Sequence, residues 1–126
     1  MASSVISSFV DTKRAVLYDL IIEKGTDLSL PINLVDEDGA AISVSGYTAK
    51  LQVRAYRDSD TVLFEMSTEN NKIVTTSGSV VLEFAQTDFD GAEWASGMYD
   101  LEIQNLLGKR ERIMQGTFSI DPEVTR

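Results

Sequence analysis

The stretch Tyr47-Thr-Ala-Lys-Leu-Gln-Val-Arg54 sets Tyr47, Ala49, Leu51 and Val53 in strict alternation with Thr48, Lys50, Gln52 and Arg54. Successive side chains of a strand point to opposite faces, so these residues read as a strand with one dry and one wet face. The same period extends in both directions. Upstream, Leu28, Leu30, Ile32 and Leu34 alternate with Asp27, Ser29, Pro31 and Asn33. Downstream, the inward sets are Val80, Leu82 and Phe84, then Tyr99, Leu101 and Ile103, then Met114, Phe118 and Ile120. Segments of this kind bury their dry faces against one another, which makes a sheet packed on a sheet.

Between these runs lie turn residues: Gly25, Asp36-Glu37-Asp38-Gly39, Gly46, Asn70-Asn71, Ser77-Gly78 and Gly108. Shorter runs fill the rest. Residues 15–23 place Tyr18, Leu20 and Ile22 on one face, 61–67 place Val62, Phe64 and Met66 inward, and 41–44 and 73–74 are brief. Pro31 has no N–H to give a ladder, which places its strand at a sheet edge or a bulge. One segment breaks the period: Thr87 to Trp94, with Thr87 as N-cap and Asp90 three residues on, reads as a single helical turn. The expectation is an all-β chain, an antiparallel β-sandwich of about eight strands with one short helical turn. Residues 1–15 are serine-rich and unperiodic and read as an extended arm, with one sandwich domain over 16–126.

Composition limits the chemistry. The 126 residues suit one domain, burying roughly two-thirds of the surface of the unfolded chain. There is no cysteine and no histidine. A disulfide framework, a thiolate metal site and a histidine-activated nucleophile are therefore all excluded. Acidic residues outnumber basic ones 20 to 11, for a net charge of -9, and this field repels nucleic acid and anionic membrane. The first residues lack the basic start and apolar run of a signal peptide, and no stretch has the length of a membrane span. Production and retention in the cytosol, or assembly into a larger structure there, is expected.

Three acidic clusters, Asp36/Glu37/Asp38, Asp58/Asp60 and Asp88/Asp90, lack the spacing of a calcium loop, and turn or capping roles explain them; no metal and no cofactor is expected. Nothing places two carboxylates across a cleft as glycoside hydrolysis requires, so no enzymatic activity is expected. Trp94 and Phe89 would serve a sugar only as an exposed platform, and closing the end of the core is the reading adopted for them. Ile21, Leu63, Val81 and Ile113 fall out of phase with the inward sets of their strands and are candidates for contact with a neighbour. So are Val5, Ile6, Phe9 and Val10 of the arm, and Lys109 and Arg110, which with Arg112 form a basic spot in an acidic chain.

Four stretches carry a resemblance. They are Tyr18-Asp-Leu-Ile-Ile-Glu-Lys-Gly-Thr-Asp27, Gly46-Tyr-Thr-Ala-Lys-Leu-Gln-Val-Arg54, Tyr99-Asp-Leu-Glu-Ile103, and Arg112-Ile-Met-Gln-Gly-Thr-Phe-Ser-Ile-Asp-Pro-Glu-Val-Thr-Arg126. Together the chain resembles small tailed-bacteriophage structural proteins with an immunoglobulin-like β-sandwich, over residues 16–126; residues 1–15 have no counterpart. The resemblance implies a non-enzymatic virion protein of the tail, baseplate or fibre-attachment region. Its implied partners are other virion proteins and further copies of itself, as a homo-oligomer in the particle. A capsid decoration or head–tail connector-associated protein, and a glycan-binding module for host attachment, are the alternatives.

Overall fold

The computed structural model describes residues 6–10 (as backbone), 15–35 and 38–122. Ten strands form among them: β1 (Ile6–Val10), β2 (Val16–Leu17), β3 (Leu20–Glu23), β4 (Leu28–Val35), β5 (Thr48–Arg54), β6 (Val62–Ser67), β7 (Ile73–Thr75), β8 (Ser79–Phe84), β9 (Ser96–Gln104) and β10 (Arg110–Asp121). They make a four-stranded sheet in the order β1-β4-β8-β7 and a six-stranded sheet in the order β2-β10-β9-β5-β6, with β3 also on β10. The chain is an all-β sandwich.

The core lies between the sheets. Leu30, Ile32, Leu34, Val80, Leu82 and Phe84 of one sheet meet Leu51, Val53, Tyr99, Leu101, Phe118 and Ile120 of the other, all buried. Phe118 is its aromatic centre. The rings of Phe64, Phe84, Phe89, Trp94 and Tyr99 surround it with centroids 5.9 to 6.3 Å away, the spacing at which tilted aromatic pairs attract.

The inward sets read from the two-residue period hold in β4, β5, β8 and β9, where the ladders are regular. The structure departs from the expectation in several places. Residues 15–23 break at Tyr18-Asp19 into β2 and β3, and both run parallel to β10. Ile6–Val10 of the arm forms β1, parallel to β4. The sandwich is thus mixed rather than purely antiparallel, and the 41–44 run is reduced to one bridge, Ala41 to Val35.

Pro31, placed at an edge or bulge by its missing donor, instead lies in β4 with strands on both sides. Its β8 partner is Val81, and among the described residues the first pair with β1 is Ile6↔Ile32, one residue later.

The segment after β8 is not a helical turn. Asp88 N donates to Ala85 O, Asp90 N to Thr87 O and Ala92 N to Phe89 O, a succession of four-residue turns. Thr87 is not the cap: the Asp88 carboxylate accepts Ala85 N–H at 2.9 Å and ion-pairs with Lys72. This arrangement drives Phe89 into the core, where it is buried.

The last departures are two bulges. In β10 the register shifts between Arg112 and Met114, so Ile113 and Met114 both point inward and are both fully buried. Ile113 is therefore a core residue, not a contact residue. In β6 the register shifts opposite Val53 and Arg54, where Phe64 and Val62 are the partners. Leu63 is the extra residue, and it packs half-buried against the core instead of standing on the outer face.

Candidate partner-contact surface

The outer face of the six-stranded sheet is a grid fixed by cross-strand register. One row runs Leu17, Gln115, Asp100, Gln52, Glu65, and the rows beside it are Arg112, Glu102, Lys50 and Thr117, Met98, Arg54. Opposite charges meet across strands, which favours the pairing. Arg112 Nε lies 3.4 Å from Asp100, Arg112 also donates to Gln115 at 3.1 Å, Gln52 donates to Glu65 at 2.6 Å, and Arg54 donates to Gln52 at 3.0 Å. Lys50, Gln52, Arg54, Asp100, Glu102, Arg112 and Gln115, with Leu17, Met98 and Arg57, line a shallow hollow of about 300 Å³. Four cations, Lys50, Arg54, Arg57 and Arg112, face this hollow with the two carboxylates Asp100 and Glu102 among them.

Two apolar features flank this face. On the edge strands, Leu17 and Ile21 are 77% and 68% exposed, with Tyr18 between them. Their neighbours Leu20 and Ile22 are buried, so the edge is dry inside and apolar outside. At the β9–β10 hairpin tip, Leu106 and Leu107 are 74% and 86% exposed. Lys109 and Arg110 follow, both exposed.

The junction of β2 and β3 is pinned from two sides. Asp19 Oδ1 accepts Thr117 N–H at 3.1 Å, and this bond, then the Thr117 hydroxyl, holds the Asp19 carboxyl below its ordinary value. Tyr99 donates its hydroxyl to the Tyr18 carbonyl. Burial, then the negative charge of Asp19, then Tyr18, push the Tyr99 phenol well above its ordinary value. A neutral donor and an ionised acceptor are what these two bonds need, so both shifts follow from the anchoring of the junction.

Of the contact candidates read from the sequence, Ile21, Lys109 and Arg110 are exposed. Val81 stays on the outer face but is half-buried between its partners Pro31 and Val74. Val5 and the side chains of Ile6, Phe9 and Val10 lie outside the described residues. Leu17, Leu106 and Leu107 were missed. Two adjacent leucines between the turn residues Asn105 and Gly108 were the available signal, since a turn offers apolar side chains nothing to bury against.

Among the described residues no group of three or more acidic side chains is placed to share an ion. Asp88 is committed to Lys72 and Ala85. The Trp94 ring lies edge-on to Phe89 and 6.1 Å from Phe118, half-buried at the end of the core.

No protein-family model matches the chain, and no curated protein sequence does. Among solved structures, it is similar to the N-terminal domain of phage TP901-1 ORF48, at 11% identity over 97% of this chain and 99% of that one, with a TM-score of 0.48. It is also similar to the extracellular domains 3–5 of Drosophila OTK, at 12% identity over 89% of this chain and 35% of that one, with a TM-score of 0.37.

Proposed function

We propose that this chain is a non-enzymatic structural protein of a tailed-bacteriophage virion, working in the tail, baseplate or fibre-attachment region through contacts with neighbouring subunits. The observation that carries the reading is the grouping of its exposed apolar residues. Leu17, Tyr18 and Ile21 share one sheet edge, and Leu106 and Leu107 share one hairpin tip. Scattered surface leucines need no account, but grouped ones fit a surface that a partner covers. An edge strand also carries unpaired backbone groups that a neighbour's strand can complete. The sequence stretches ending at Arg126 support the phage assignment, and the lack of histidine and cysteine supports a role without catalysis.

The test is reconstruction of intact particles with the subunit located. Density for this chain at the tail or its baseplate, with the edge at Leu17–Ile21 against a neighbour, is expected. Its absence from purified particles overturns the reading. Deletion of residues 1–15, which removes β1 and uncovers the edge of β4, is expected to reduce incorporation.

A further inference from the structure

We propose that the chain binds a second copy of itself head to tail, the Leu106–Leu107 tip of one copy seating in the cleft beside Trp94 of the next. This deepens the assembly reading above by naming one partner and the two surfaces it uses.

The tip is held out rather than left to collapse. Asn105 Oδ1 accepts the N–H groups of both Leu107 and Lys109, at 2.9 and 3.0 Å. Gly108, at φ 84, donates to Asn105 O, and Gln104 Nε2 donates to Gly108 O. Two leucines thus project from a braced hairpin with Lys109 and Arg110 beside them. A preorganised apolar knob loses little freedom on docking.

The complementary feature is a cleft of about 570 Å³ at the other end of the sandwich. Leu63, Phe64, Ala92 and Trp94 line it, half-buried, over the buried Phe89. Gly91 also lines it and borders open space, since a Cβ there would meet nothing within 4 Å. Its loop carries Asp90 and Glu93, both exposed, while Asp88 is taken by Lys72. Apolar knob meets apolar cleft, and the cations flanking the knob meet the acids flanking the cleft, which fixes orientation.

Trp94 lies just before β9 and Leu106 just after it. Nine residues of strand separate the two features by about 30 Å, so one copy cannot fill its own cleft. A contact between different surfaces is heterologous and builds either a closed ring or an open filament.

Sedimentation velocity of the full chain over a concentration series tests this. The wild type is expected to pass through dimer to larger species as concentration rises. Leu106→Ser/Leu107→Ser and, separately, Asp90→Lys/Glu93→Lys are expected to stay monomeric with unchanged circular dichroism. An equimolar mixture of the two variants is expected to stop at a heterodimer, since one keeps its cleft and the other its tip. A wild type that stays monomeric at its highest soluble concentration overturns the proposal. So does association that persists in either variant, or a mixture with no heterodimer. A monomeric wild type that is nonetheless present in particles overturns the head-to-tail pairing and leaves the assembly reading standing.

Discussion

The Tyr99 hydroxyl donates to the main-chain oxygen of Tyr18 at 2.6 Å, tying β9 to the junction of β2 and β3 across the intervening strand β10. The residue that makes room is Gly116, the β10 partner of Tyr99. A Cβ at Gly116 would lie 2.4 Å from the same Tyr18 oxygen. One donor, one acceptor and one missing side chain therefore form a single device, and its parts are separately testable.

Tyr99→Phe keeps the ring and removes the donor. The expected cost is about 0.5–1.5 kcal/mol by urea denaturation, the net worth of one neutral hydrogen bond. The pH dependence gives a second readout. Burial holds the folded phenol protonated above its ordinary value, so the unfolded chain ionises first. The stability is complete below a pH of about 10 and is lost as pH rises beyond it. The variant should lose that alkaline component, and identical alkaline limbs would contradict the assignment.

Gly116→Ala is expected to destabilise by about 1–3 kcal/mol, because backbone rather than a flexible side chain must yield. The same substitution at Gly91, whose Cβ would meet nothing within 4 Å, should change stability by less than about 0.5 kcal/mol. Thermal unfolding of the pair separates the two sites.

The β10 bulge is tested by two isoleucines that the two-residue period alone would treat alike. Ile113→Ala removes a fully buried side chain and should cost about 2–5 kcal/mol. Ile21→Ala, at 68% exposure, should stay within about 0.5 kcal/mol. Equal effects in chemical denaturation would argue against Ile113 being the extra residue.

At the end of the core, Phe89→Ala should cost about 3–5 kcal/mol, since the ring is buried against Phe64, Phe84 and Phe118. Trp94→Ala should cost less, because its ring is only partly buried and borders the cleft. The reverse ranking in denaturation midpoints would make Trp94 the true closure.

The strands were legible in the sequence wherever ladder and pattern run in step, as Ala49, Leu51 and Val53 do against Ile103, Leu101 and Tyr99. The reading failed at Leu63 and Ile113 because a bulge is set by the partner strand. One extra residue flips the phase without altering composition. Strand direction was hidden for the same reason: the alternation of Leu20, Ile21 and Ile22 is identical in a parallel or an antiparallel pair. The Thr87–Trp94 segment carried helix-start residues, but the same residues serve turns, and burial of Phe89 decided between them. Of the contact surface, the charges at Lys109 and Arg110 were visible. Ile21 was visible as well, whereas exposure at Leu17 is a property of the assembled sheet, and Leu106 and Leu107 were marked only by their place between the turn residues Asn105 and Gly108.

The position of β10 in the sheet has a consequence for how the domain comes into being. Leu20 pairs with Phe118 and Ile22 with Ile120, partners about a hundred residues apart in the chain. Joining such distant segments is slow, and domains dominated by non-local pairs fold in roughly milliseconds to seconds. Before β10 arrives, β9 lacks one neighbour, β2 and β3 have no sheet to join, and the aromatic cluster lacks the ring at its centre. The first strands of the larger sheet must therefore wait for one of the last, and the interior closes only when Phe118 enters it.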